Sequence, residues 1–355
     1  PKSVGEFMVT GTNSRRRFYD PDLDQVNYRT GNGLGYHVWA ERQDRHLYMN
    51  FLAEGRTADY RADVGFTPRV DTNYLGSFIK YETEKQPDAM IVFKQIWNET
   101  NIRYDMKGRS QYFIVNTRGM LAFQRQTFVG LNYQRGYERV FEHEFGRNRT
   151  ATRLGAFSGD DPERSATFNA MQAFVESTPF KQLYVNLFMD YTAGGMDYDL
   201  GAGPRFPRVS AAALQDPNSG FDPGPGNILT LDLTVRYQPT AALQTQLSYH
   251  RLRLNRLDTG RTAFDDHIFS SRTTYQFTRN TFARLRLDYS TLNFNLRPQF
   301  VLGWTPNPGT AIYVGYNDDI NYNGFNPFDG RFEPGTRGNG RSFFIKASYL
   351  FKKSF

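Results

Sequence analysis

The chain contains no cysteine. Disulfide frameworks, thiolate nucleophiles and Cys-ligated metals are therefore excluded. No stretch approaches the ~18 consecutive apolar residues that a transmembrane helix needs, and the mean hydropathy is −0.62. A hydropathy scan reads such a chain as soluble. That reading is unsafe, because barrel strands crossing a bilayer are apolar on one face only. The N-terminus lacks a basic n-region followed by an apolar h-region. Its first residues, Pro1-Lys2-Ser3-Val4-Gly5, read as a processed or partial chain. Gly-x-Ser-x-Gly, phosphate-loop and His-Glu-x-x-His patterns are also missing. Asp265-Asp266-His267 is the nearest approach to acid–base chemistry, but three adjacent strand residues point to alternating faces. No catalytic residue is assigned, and the chain is expected not to be an enzyme. The net charge of +7 raises nucleic acid as a partner. However, the 43 basic residues are interleaved with 36 acids. With no basic run, nucleic-acid binding is not expected.

Aromatics are plentiful, with 31 Phe and 22 Tyr. Two interfacial girdles of a membrane barrel would use that supply. Near the C-terminus, Phe343, Ile345, Ala347, Tyr349 and Phe351 fall on one face, and Phe355 keeps the phase. Lys346 and Ser348 fall on the other, with Phe344 and Leu350 as apolar exceptions. This is the ending expected of an outer-membrane barrel, with Tyr349, Phe351 and Phe355 as its assembly signal. The same alternation runs through Leu229, Leu231, Leu233 and Val235 against Asp232 and Arg236. It recurs in Leu285, Leu287 and Tyr289 against Arg284, Arg286 and Asp288, and in Ile312, Val314 and Tyr316. Residues 243–254 change phase midway, as a bulge or a strand leaving the membrane plane would.

Connections alternate between tight turns (305–310, 278–280, 238–242, 177–180) and long loops (318–340, 255–268, 192–227, 140–166), except at 290–295, which is short where a long loop is expected. Short turns on one rim and long loops on the other are the barrel arrangement. The long 192–227 segment, rich in Gly and Pro, either folds inward as a constriction or outward onto a partner. In the N-terminal third, strands are read at 5–10, 35–40, 46–53, 58–66, 73–82, 90–106, 110–117 and 120–139. The expected fold is all-β: one transmembrane antiparallel up-and-down β-barrel of about 16 strands, range 14–18, spanning residues 1–355. Residues 342–351 should pair with 311–317 on one side. On the other side they should pair with the first strand, at 5–10 or 35–40.

Two segments carry a family resemblance. Tyr60-Arg-Ala-Asp-Val-Gly-Phe-Thr-Pro-Arg-Val-Asp71 resembles the F-R-A-D-V-G-F-x-P-R-x-D signature of the DUF5916 family. Residues 300–317 with the closing strand are similar to that family's C-terminal end. The resemblance implies an outer-membrane barrel preceded by a carbohydrate-binding-like domain that these residues do not include. It implies no activity.

Arg236, Arg272, Arg284, Arg286, Arg297 and Lys346 fall on the polar face. They read either as a cationic lumen lining that favours anions, or as wall braces paired with acids such as Asp232 and Asp288. Asp319-Ile-Asn321-Tyr-Asn323-Gly324 matches the first half of a Ca²⁺ loop, but its twelfth position is Gly330 rather than Glu. Otherwise no cofactor is expected. Expected partners are outer-membrane lipid, the barrel assembly machinery, and a protein or glycan at the extracellular loops. The function reads as a porin-like conduit, or as an anchor for an extra-membrane domain or assembly. The alternative is a soluble β-sandwich that binds glycans.

Overall fold

The computed structural model describes residues 2–61, 69–326 and 331–350. Period-two alternation builds nearly all of it. The strands are β1 Lys2–Asp20, β2 Gln25–Gln43, β3 Leu47–Arg56, β4 Thr72–Glu82, β5 Ile91–Tyr104, β6 Ser110–Phe123, β7 Thr127–Phe141, β8 Glu163–Phe180 and β9 Leu183–Asp197. They continue with β10 Gly224–Tyr237, β11 Leu243–Arg256, β12 Thr262–Thr278, β13 Thr281–Ser290, β14 Asn295–Asn307 and β15 Thr310–Tyr322. A two-residue pair, β16 Phe325–Asn326 with β17 Arg331–Phe332, precedes β18 Thr336–Tyr349. A short helix, α1 Ala211–Gln215, interrupts the long β9–β10 connection.

β1 to β15 and then β18 form one 16-stranded antiparallel sheet in sequence order. Register sorts its residues into two continuous faces. On one face, Arg118 opposes Asn132, which opposes Gln172, then Asp190 and Thr230. On the other, Leu285 opposes Phe300, then Tyr316 and Phe343. Leu302, Val314 and Ile345 form the adjoining row. The apolar face is bare: Leu285 is 43% exposed and Ile345 69%. The glycan-binding β-sandwich alternative requires two packed sheets burying such residues. The described residues offer no second large sheet, and that alternative is dropped.

The connections also sort by rim. Those at 44–46, 124–126, 181–182, 279–280 and 308–309 are tight. The long connections 142–162 and 198–223 lie on the opposite rim, beside short ones at 21–24, 105–109 and 291–294. There the sheet curls. Asn148 donates to the Asp22 carboxylate at 2.6 Å, and Arg153 to the Asp22 carbonyl at 2.7 Å. In a flat sheet the β1–β2 tip and the β7–β8 loop would stand about 29 Å apart. A small core of Val140, Phe157, Ala166 and Met196 sits under these loops, with Phe145 and Phe221 packed against it.

Several expectations need correction. Residues 58–61 are turn and coil rather than strand, and 62–66 lie outside the described residues. The expected break at 118–119 falls instead at 124–126. There Arg125 and Gln126 take φ of 57° and 51°. This is the left-handed geometry of a tight hairpin turn, normally flagged by Asn-Gly. Across the phase change in 243–254, β11 stays in unbroken register with β10, so no bulge causes it. β18 pairs with β15 as expected, Ala311 opposite Ser348 and Asn317 opposite Ser342. Among the described residues it pairs with no N-terminal strand.

Candidate functional site: the polar face and its loop cap

All six basic residues singled out in the sequence lie on the polar face. Arg236 leads through Gln246 to Arg272 and then to Arg286 across one row. Arg284 opposes Thr274 one step along. Arg286 is paired with Asp288 at 2.6 Å, and Arg297 with Asp319 at 3.2 Å. Those two brace the wall. Asp232 instead binds His250 at 2.6 Å. Arg236 and Arg284 have aromatic neighbours, lying over Tyr184 at 4.9 Å and Phe282 at 5.5 Å. A ring face holds a guanidinium without neutralising it. Lys346 sits opposite Tyr313. Sequence reasoning missed Arg103 and Arg118, which use the same device. Arg103 lies over Tyr74 and Tyr112, and Arg118 over Phe174 at 4.1 Å. Their cross-strand aromatic partners are distant in sequence. The acids Glu99, Glu176 and Asp190 lie on the same face of β5, β8 and β9. The polar face of β5–β9 thus mixes these acids with Arg103 and Arg118, while the six basic residues singled out in the sequence gather on β10–β18.

The candidate Ca²⁺ residues are arranged for another purpose. Asp319 and Asn321 belong to β15, not to a loop. The Asn295 side-chain amide donates to both of their Oδ1 atoms at 2.6 Å, and Asn339 to both at 2.8 and 3.0 Å. Asn323 accepts from the Gly335 amide at 2.7 Å. Amide and guanidinium donors therefore occupy the oxygens that would face a cation. Among the described residues no group of three acidic, His or Cys side chains converges on a metal position. Gly330, Phe351 and Phe355 lie outside the described residues, while Tyr349 is exposed on the apolar face.

The loops lie over the polar face. The Tyr60 backbone covers Gly33, where any Cβ would collide with it. The 198–223 loop covers a cavity of about 350 Å³, lined by Leu200, Pro207, Val209, Ile228, Leu252, Leu254 and Phe264. This accounts for the phase change in β11. Beyond Tyr249, inward Leu252 and Leu254 meet the loop. Outward Arg251, paired with Asp265 at 3.0 Å, faces away from it.

Buried ion pairs hold the cap. Asp199 accepts from Arg208 at 2.7 Å, Ser210 at 2.9 Å and the Asp222 amide at 3.0 Å. Ser210 also caps α1 through the Ala213 amide. Arg256, 2% exposed, donates to Asp258, the Asp222 carbonyl and Asp197. The Arg256 guanidinium holds the Asp258 carboxyl below the usual carboxylate range. Burial pushes the Glu142 carboxyl up, but donors from Arg149 and the Phe157 amide outweigh it, leaving a net lowering. Tyr198 is raised by burial and by its bond to Glu138. The sequence gives little sign of these pairs, since a loop charge is by default solvated.

No family model matches the chain, and no curated protein matches it. Solved structures similar to it include OmpT, an outer membrane protein of Vibrio cholerae. It is 12% identical at a TM-score of 0.35, covering 98% of this chain and 99% of that one. The siderophore receptor PirA of Acinetobacter baumannii is 7% identical at 0.38, covering 98% and 69%. The ferric yersiniabactin uptake receptor FyuA of Yersinia pestis is 10% identical at 0.44, covering 98% and 60%. The expectation that the chain is not an enzyme is withdrawn. OmpT stands beside uptake receptors among these structures, and likeness at this level neither assigns an activity nor excludes one.

Proposed function

We propose that the chain is an outer-membrane β-barrel forming a solute conduit with a constricted mouth. The tight turns would be periplasmic and the 142–162 and 198–223 loops extracellular. The apolar face would meet lipid, and the assembly machinery would insert the chain through its C-terminal strand. Membership of the DUF5916 family belongs to this proposal and rests on the motifs of residues 60–71 and 300–317.

The observation that carries the conduit reading is the set of guanidinium groups on the polar face held by aromatic rings rather than by acids. Charge fixed on a lumen wall tunes which ions pass. A second reading, a barrel serving as an anchor, is favoured by the cap held by Asp199, Arg208 and Arg256. Planar-bilayer recording separates the two. The conduit gives unitary currents whose anion preference falls or reverses with Arg284→Glu plus Arg286→Glu. An anchor gives no current. A conducting pore indifferent to the double change would reduce the arginines to braces.

A further inference from the structure

We propose that the apolar face carries a binding site for one glycerophospholipid, its acyl chain in a notch at Gly119 and its phosphate at Lys94. This rests on the outer-membrane reading above. Tyr81, Ile96, Gly119 and Leu131 form one row across β4 to β7. The three large neighbours are 48%, 52% and 61% exposed. Between them Gly119 leaves a gap, and a Cβ built there meets nothing within 4 Å. Its φ is not in the left-handed region, so neither sterics nor backbone requires glycine. Gly130 and Gly136 differ, because the Phe174 and Phe168 rings occupy their Cβ positions. Glycine inside a strand weakens it, and where packing does not demand it, it marks the close approach of another group.

The gap opens into a groove of about 480 Å³ lined by Tyr81, Ile96, Leu121, Val129 and Leu131. Leu121 and Val129 form the next row toward the tight-turn rim, opposite Lys94. Lys94 is exposed and has no ion-pair partner among the described residues. Its backbone is fixed by reciprocal bonds with Thr83, each of 3.0 Å. An apolar channel ending at an exposed lysine on an anchored stretch of strand near a membrane interface fits an acyl chain ending at a phosphate. The tight-turn rim selects the inner leaflet, hence a glycerophospholipid rather than lipid A.

The test is native mass spectrometry of delipidated full-length protein titrated with phosphatidylglycerol. Wild type should retain one lipid through detergent removal. Gly119→Leu should weaken that lipid at least tenfold, and Gly119→Ala by a smaller factor. Lys94→Gln should weaken it several-fold, and Lys94→Arg should restore it. Unchanged retention in Gly119→Leu, or equal retention of lipid A, overturns the site. If Gly119→Leu does not fold, Gly119→Ala and Lys94→Gln decide by the same criterion. Liposome flotation of wild type separates the two failures. Protein that inserts but shows no Gly119 effect sinks only this site, whereas protein that does not insert sinks the location on which it rests.

Discussion

Single side chains here change value with the face they occupy. Leu285 lies on the bare apolar face, where lipid cannot hydrate a charge. Leu285→Arg should therefore cost about 2–4 kcal/mol at mid-depth, measured as a lowered urea midpoint in reversible refolding. A similar charge at Thr234, on the polar face opposite Asn186 and Ser248, should cost little. Glu142 behaves differently, since it is 1% exposed and bonded to Arg149 and Phe157. Its carboxyl is lowered in the folded state, so its contribution is present above the unfolded carboxyl pKa of about 4.3. That contribution is lost as pH falls through the lower folded value. Limited proteolysis should find the 142–162 loop protected at neutral pH and cleaved in acid. Glu142→Gln should be cleaved at both. Equal protection of the two proteins at neutral pH would show that Arg149 holds the loop without Glu142.

At the scale of elements, the 124–126 turn offers a direct experiment. Arg125 and Gln126 both adopt left-handed φ, a conformation costing roughly 1–2 kcal/mol per L-residue. Arg125→Asn with Gln126→Gly should raise stability by about 1 kcal/mol, read as a shifted unfolding midpoint. No change would mean that neighbouring bonds already offset the strain. The same turn shows where the sequence was illegible. Strands from β9 onward were readable because their alternation is clean and Gly, Pro or Asn marks most turns. The 124–126 turn carries no such marker, so the break between the two strands is read too early, at 118–119. The phase change in β11 was visible, but its cause was not, because Leu252 and Leu254 face inward only to meet a loop far from them in sequence. The arginine–aromatic pairs and the Glu142, Asp199 and Arg256 clusters were hidden for the same reason. The calcium-like motif was misleading because Asp319 and Asn321 sit inside a strand, facing amide donors.

The described residues build one large sheet with a polar and an apolar side, and none of them covers the apolar side. Bilayer lipid is the cover that fits, and closing β1 on β18 would leave no unpaired edge in hydrocarbon. The absence of cysteine makes both claims testable with introduced labels. The most direct measurement is a spin-label scan of β13 in reconstituted bilayers, from Arg284→Cys through Tyr289→Cys. Collision with molecular oxygen reports lipid, and collision with a polar nickel chelate reports water. Oxygen accessibility should peak at 285, 287 and 289, and nickel accessibility at 284, 286 and 288. Labels at 285 and 287 excluded from both reagents, or reached by nickel as readily as at 286, would contradict a lipid-facing wall.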